Sequence, residues 1–465
     1  MRFALFLVAA LGWSAATPDP AELVPVRWPS ADPATVAILA GSPINTLLIP
    51  EPHLNAAFIE AAHARHFTVL GLLTPGAPAL PRARRALALG LDGIVLEGNF
   101  PPADSRPVHD ALRSSAKLSV ELGLRGRIPL EPSAPPIIGT YQGVWAGINA
   151  HDEKEAHAAP SGAPWIDTNA GFLRFVRACT QRVFWLSSRP PEGTVITIQR
   201  YLQMIADPAM VGARWVVTLE DDWFKRLLAA EPRAARDFKR LTSLLAFFEA
   251  HRALQQLPQY GQLAVLAGVP NGALLSGSVL DMITVKHTPI RPVPFALVSQ
   301  DRLAQARMAL NLDPEALSPA QRETLQKFAA SGSTILTAPD GSRMPAPAAD
   351  QLTIRSENVK KLDQIWREVN AMMGRRNLGV RLFNVSSMLS NMLGAPDASR
   401  VVIYLVNYAD FPVDTIAVHL LGKFSKVTLH TPDRPARSLA PYDNEDGTGV
   451  DIDLLDTVGI LVAEK

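Results

Sequence analysis

Between residues 24 and 221 one rhythm recurs eight times: a short apolar segment of strand character, then a stretch with apolar residues every three or four positions. The strand segments are VPVRW (24–28), NTLLIP (45–50), FTVLGLL (67–73), DGIVLEG (92–98), KLSVELG (117–123), PIIGTYQGVWAGI (136–148), RVFWLSS (182–188) and RWVVTLED (214–221). Helical patterns such as LNAAFIEAAHARH, LPRARRALALG and SRPVHDALRSSA lie between them. Eight such steps predict an α/β fold of the (β/α)8 TIM-barrel type, with an open doubly wound sheet as the alternative. One link breaks the rhythm. RGRIPLEPSAPP, after the fifth strand, carries too many prolines for a regular helix.

A long helix from about Ala234 to Gln256 closes this unit, and LPQYGQ marks a boundary, so the barrel domain is expected over 20–257. A second strand–helix unit follows over 258–357, with LAVLAG, ARMALNL and STILTAP as strands and GALLSGSVLDMITVKH as a helix candidate. In LSPAQRETLQKFAASG, Ser318 is placed to cap a helix, Pro319 to open it and Gly332 to follow its end. This reads as a small flavodoxin-like α/β domain. A linker with some helix spans 358–377. From 378 to 465 the pattern is that of an antiparallel β domain, with VVIYLVNYA, DTIAVHLLG, KVTLHTP and VGILVAEK as strands.

The first twenty residues, MRFALFLVAALGWSAATPDP, place Arg2 before an apolar run and small residues at Ser14–Ala16. That is the layout of a secretory signal peptide over 1–16, which predicts a periplasmic or extracellular protein with no membrane span in its mature form. A formal net charge of +1 gives no electrostatic support for a nucleic-acid partner. The single cysteine, Cys179, excludes an intramolecular disulfide and a cysteine-rich metal site. His151 and His157 match no helical zinc pair and read as part of a solvated loop. There is no G-x-G-x-x-G or Walker loop and no G-x-S-x-G elbow, so no cofactor and no serine hydrolase is expected.

The stretch FALVSQDRLAQARMALNLDPEALSPAQRETLQKFAASGSTILTAP resembles the strand–helix–strand that closes the middle domain of family 42 β-galactosidases and their relatives. The closing VVIYLVNYAD, KVTLHTPDRPA and VGILVAEK resemble the C-terminal β domain of that group. As an order of domains, the resemblance covers nearly the whole mature chain. It implies a glycoside hydrolase acting on a carbohydrate, with a middle domain of glutamine-amidotransferase fold. An active amidotransferase needs a cysteine nucleophile beside a histidine. The only cysteine lies in the barrel, so the middle domain is left with a structural or oligomer-forming role.

Barrel active sites collect at the C-terminal ends of the strands. Alternation in DGIVLEG turns Val95 and Glu97 toward the axis; in KLSVELG it turns Ser119 and Glu121 inward, and in RWVVTLEDD it turns Thr218 and Glu220 inward with Asp221 at the rim. Glycoside hydrolysis needs two such carboxyls, one protonating the leaving oxygen and one attacking the sugar or activating water. The resemblance implies Glu97, ending the fourth strand, as acid/base. The chain departs from the family in two places. Leu96 stands where the family has an asparagine before its glutamate, and the seventh strand ends in Ser187 and Ser188 where the family has its nucleophile. Glu220, one strand later, and Asp167, in the loop after the sixth strand, are the candidate partners.

Each acid has a plain alternative. Glu97 could pair with a buried arginine such as Arg27, Glu121 could be structural, Asp167 could cap a helix, and the Glu220–Asp222 run suits a helix N-terminus. Trp28, Tyr141, Trp145, Trp165, Trp185 and Trp223 fall near strand ends, where rings stack on sugars or pack at the edge of a core. Two functions from different classes therefore stand: an exported glycoside hydrolase, and an inactive barrel serving as a sugar-binding or assembly module. A barrel enzyme acting on another substrate is the third.

Overall fold

The computed structural model describes residues 18–145, 168–190, 195–268, 288–311, 314–337, 377–385 and 387–465, together with a few isolated positions between 155 and 371. The expected signal peptide, Asp167, Trp165, His151, His157 and the helix candidate near 272–287 lie outside the described residues.

Eight parallel strands form the first unit: β1 (Pro25–Arg27), β2 (Thr46–Pro50), β3 (Thr68–Leu73), β4 (Gly93–Glu97), β5 (Leu118–Gly123), β6 (Ile137–Thr140), β7 (Val183–Leu186) and β8 (Arg214–Trp215). They neighbour one another in chain order. Val217 then bridges Val26 of β1, with Arg27 N donating to Val217 O at 2.8 Å and Val217 N to Pro25 O at 3.1 Å. The sheet therefore closes on itself, and the barrel, not the open sheet, is the outcome. Closure leaves no free edge. The sixth segment is shorter than expected, pairing only from Ile137 to Thr140. The proline-rich link after β5 holds one short turn of 3-10 helix, Arg125–Arg127.

Burial separates the two faces of each strand. Leu48, Leu70, Leu72, Val95, Leu118, Val120, Leu122, Ile137, Trp185 and Val216 form one cluster inside the barrel. Ile49, Val69, Ile94, Leu96, Ile138, Leu186 and Val217 join the outer cluster with the helices. Trp185 takes the largest share of the interior, and β6 makes room beside it. A Cβ on Gly139 would lie 2.0 Å from Trp185 O and 2.6 Å from Leu122 Cδ2.

The middle unit is a four-stranded parallel sheet in which Leu263–Ala267 lies between Ile290–Pro294 and Met308–Asn311, with Thr334–Thr337 outermost. The helix Pro319–Ala330 begins with a capping box between Ser318 and Gln321, and Gly332 follows it at φ +90°. The last unit is two antiparallel sheets of five and four strands. Val402, Tyr404, Val406, Val458 and Ile460 of the five-stranded sheet pack on the barrel helices. Their alternates Val401, Ile403, Leu405 and Leu461 pack on the four-stranded sheet. The strands Arg400–Asn407 and Val458–Glu464 are therefore buried on both faces, which is why they read as nearly unbroken apolar runs.

A polar network also joins barrel and β unit. Asp207, in helix Ile198–Ala209, is fully buried and accepts from Tyr408 Oη at 2.7 Å and from Asn169 N and Nδ2, each at 2.8 Å. Burial raises its pKa above the ordinary value, and the hydrogen bonds from Tyr408 and Asn169 work against that rise. Arg174 reaches across to Ser390 O at 2.9 Å and Asn391 Oδ1 at 3.2 Å.

Candidate active site

Three strands meet at one carboxylate. Glu97 ends β4 with its side chain toward the barrel axis, as expected, and is 5% exposed. Arg27, ending β1, donates through Nη2 to Glu97 Oε1, which is the buried pairing that the sequence offers as the alternative to a catalytic Glu97. Ser187, just past β7, donates through Oγ to the same oxygen at 2.8 Å, and Arg27 Nη2 lies 3.2 Å from that hydroxyl. Arg189, 66% exposed, brings Nη2 to 3.7 Å from Glu97 Oε2. The carboxylate is therefore an acceptor in every contact it makes with these groups. Nε and Nη1 of Arg27 are buried without hydrogen-bond partners.

The structure keeps Ser187 and Ser188 at the end of the seventh strand, so no carboxylate stands at that position. It also keeps Glu220 after the eighth. β8 lies between β7, which carries Ser187, and closes onto β1, which carries Arg27. Both partners of Glu97 thus flank the strand that Glu220 follows. Ile196 N donates to Glu220 Oε1 at 2.5 Å, and Glu220 N donates to Tyr201 Oη at 3.0 Å. Burial raises the Glu220 pKa above its ordinary value, with Asp222 adding to the rise and the Ile196 hydrogen bond opposing it.

Glu121 is corrected. It lies on the outer face of β5, where His109 of helix Pro102–Ser114 approaches Glu121 Oε2 at 2.7 Å with Nε2 and Ser119 Oγ at 2.6 Å with Nδ1. Leu118, Val120 and Leu122 take the inner face instead. Both faces of a barrel strand are buried, so a polar pair need not face the axis when a helix offers it a partner.

The aromatic residues are corrected in the same sense. Trp28, Trp145 and Trp185 are 0%, 5% and 0% exposed, so none offers an open face. Trp28 Nε1 donates to Thr35 Oγ1 at 3.0 Å, and its ring meets Phe224 edge-on at 4.9 Å. Trp145 Nε1 donates to Arg189 O at 3.0 Å, and its ring meets Tyr201 and Trp215 edge-on. Tyr141 is half-buried just past β6. Asp221 is exposed in the first turn of helix Asp221–Leu228, beside Asp222, which pairs with Arg226 at 2.9 Å. Arg189 is the residue at this site that sequence reasoning missed; a charged residue two positions past an inward strand end was the available signal.

Among the described residues no helix is long and apolar enough to cross a membrane. No protein-family model matches the sequence, and no curated protein does. Among solved structures, the fold is similar to that of α-L-fucosidase isoenzyme 2 from Paenibacillus thiaminolyticus, with a TM-score of 0.66 at 9% identity over 95% of this chain and 99% of that one. It is also similar to the cold-adapted β-galactosidase from Rahnella sp. R3, with a TM-score of 0.55 at 7% identity over 95% and 98%. The chain therefore shares its fold with these two structures, a (β/α)8-type barrel carrying additional parallel and antiparallel sheets.

Proposed function

We propose that this chain hydrolyses a glycosidic bond at the C-terminal mouth of its barrel, outside the cytoplasm, with Glu97 as the nucleophile or base and Glu220 as the proton donor. The observation that carries the reading is the hydrogen bonding of Glu97. A carboxylate whose Oε1 accepts from Arg27 and Ser187 is held in one orientation, as a group that attacks a sugar or activates water has to be. The role is the reverse of the acid/base role that the domain resemblance implies. Glu220 has the opposite environment. Burial favours its protonated form, and with Oε1 accepting from Ile196 N, Oε2 is left to carry the proton to the leaving oxygen. Arg27 and Ser187 then act by holding Glu97, and Asp167 remains the alternative donor.

A second reading is favoured by Ser187 at the seventh strand and by the buried tryptophans: a barrel that binds sugar or assists assembly without cleaving. Hydrolysis of aryl glycosides separates the two. On aryl glycosides with poor leaving groups, the first reading requires turnover that falls by at least about 100-fold in both Glu97→Gln and Glu220→Gln. The second requires oligosaccharide binding with no turnover in any form.

A further inference from the structure

A cleft of about 350 Å³ lies where the three units meet, away from the barrel mouth. Arg177 reaches it from barrel helix Ala170–Cys179, Gln259 and Tyr260 from the connecting segment, Arg291 from the middle sheet, and Asp301 and Arg302 from the short helix Gln300–Leu303. The connecting segment is pinned to the C-terminal sheet, with Tyr260 N donating to Met392 O at 2.9 Å and Gly394 N to Pro258 O at 3.0 Å. The walls therefore belong to all three units, and their geometry is fixed by backbone pairing.

The polar groups of this cleft are unusually under-used. Gln259 Nε2 and Oε1, and Arg291 Nε and Nη2, are buried without hydrogen-bond partners. Buried polar atoms are nearly always paired, and here three unpaired donors, Gln259 Nε2 and Arg291 Nε and Nη2, fall on two residues of one cleft, beside one unpaired acceptor, Gln259 Oε1. Arg291 keeps one side-chain bond, Nη1 to Gln305 Oε1 at 3.2 Å. Arg177 is committed to backbone carbonyls, at 2.5 Å from Gln255 O and 3.4 Å from Gly212 O. That leaves Arg291 and Arg302 against one lining carboxylate, Asp301, so the cleft carries an excess of positive charge.

We infer that this cleft binds a small oxyanion, a carboxylate or phosphate group, received by the Arg291 guanidinium and the Gln259 amide with Arg302 at the entrance. A guanidinium offers paired donors that match either anion, and the volume suits a small molecule. Such a ligand bridges the barrel, the middle sheet and the C-terminal sheet, so its binding resists their separation and raises thermal stability. The site is independent of glycoside chemistry.

The test is calorimetric titration and thermal unfolding of the full chain with inorganic phosphate and with citrate, at ionic strength held constant with sodium chloride. A saturable response to either anion is expected, at least tenfold weaker in Arg291→Gln and in Arg302→Gln. Arg302 is exposed, so its variant tests charge without disturbing the core. Arg189→Gln, at the barrel mouth, is expected to leave the response intact. A response to phosphate alone assigns a phosphoryl ligand, and one to citrate alone a carboxylate. No saturable response to either, one unchanged in Arg302→Gln and Arg291→Gln, or one abolished by Arg189→Gln overturns the inference.

Discussion

Arg27, on the first strand of the barrel, and Glu97, on the fourth, form a buried ion pair, with Ser187 of the seventh strand bonded to the same carboxylate oxygen. A pair spanning the barrel in this way has to be made or left out as a unit. Removing one member strands the other in a medium that cannot solvate it. Arg27→Met is expected to cost about 3–5 kcal/mol of folding stability, and Arg27→Met with Glu97→Leu less than the sum of the single changes. Urea unfolding of the four proteins measures this; additive costs would show that the two side chains do not depend on each other.

Glu220 gives stability a definite pH dependence. Its native pKa is raised above the ordinary 4.5, chiefly by burial, so the native state holds the proton more tightly than the unfolded chain. The stability this provides is complete below 4.5 and is lost as pH rises through the native value. Glu220→Gln keeps an oxygen for Ile196 N and removes the titration. The variant is expected to match the parent in acid and to exceed it above that window, as read by unfolding midpoints at a series of pH values.

Tyr408 and Asp207 link the C-terminal sheet to the barrel. Tyr408→Phe removes one hydrogen bond to a buried carboxyl that retains Asn169 as donor, which should cost about 1–3 kcal/mol. Asp207→Leu removes the acceptor of the Asn169 backbone N–H as well as that of the tyrosine hydroxyl, and should cost more. Denaturant midpoints order the two.

Burial lifts the Cys179 thiol to about 11. Little thiolate is then present at pH 8, and the folded protein is expected to resist alkylation by iodoacetamide, with labelling appearing only on unfolding. Rapid labelling of the native protein would contradict the packing around the helix Ala170–Cys179.

What could be read from the sequence divides along a physical line. Local signals were legible: the eightfold strand–helix rhythm, the Ser318 cap, Gly332 past the helix end and the prolines that deny β5 a following helix. The inward turn of Glu97 was legible too, because Ile94 and Leu96 leave it only one face. Glu121 was not, since Ser119 and Glu121 find their partner in His109, ten and twelve residues earlier, and alternation cannot say which buried face a satisfied polar residue takes. The strand Met388–Gly394 went unread because Ser390 and Asn391, which bond to Arg174 of the barrel, interrupt its apolar run. The tryptophans marked strand ends correctly but not their exposure, which depends on rings contributed by distant segments.

The most direct test of the proposed chemistry compares leaving groups. Aryl glycosides with good and poor leaving groups are hydrolysed by the parent chain, Glu97→Gln and Glu220→Gln, across a panel of sugars. If Glu220 supplies the proton, Glu220→Gln should lose rate steeply on poor leaving groups and little on dinitrophenyl glycosides, which need no acid. Glu97→Gln should lose rate on both. A Glu97→Gln variant that spares the dinitrophenyl substrates, or parent-level turnover in either variant on every substrate, would contradict the assignment of the two carboxyls.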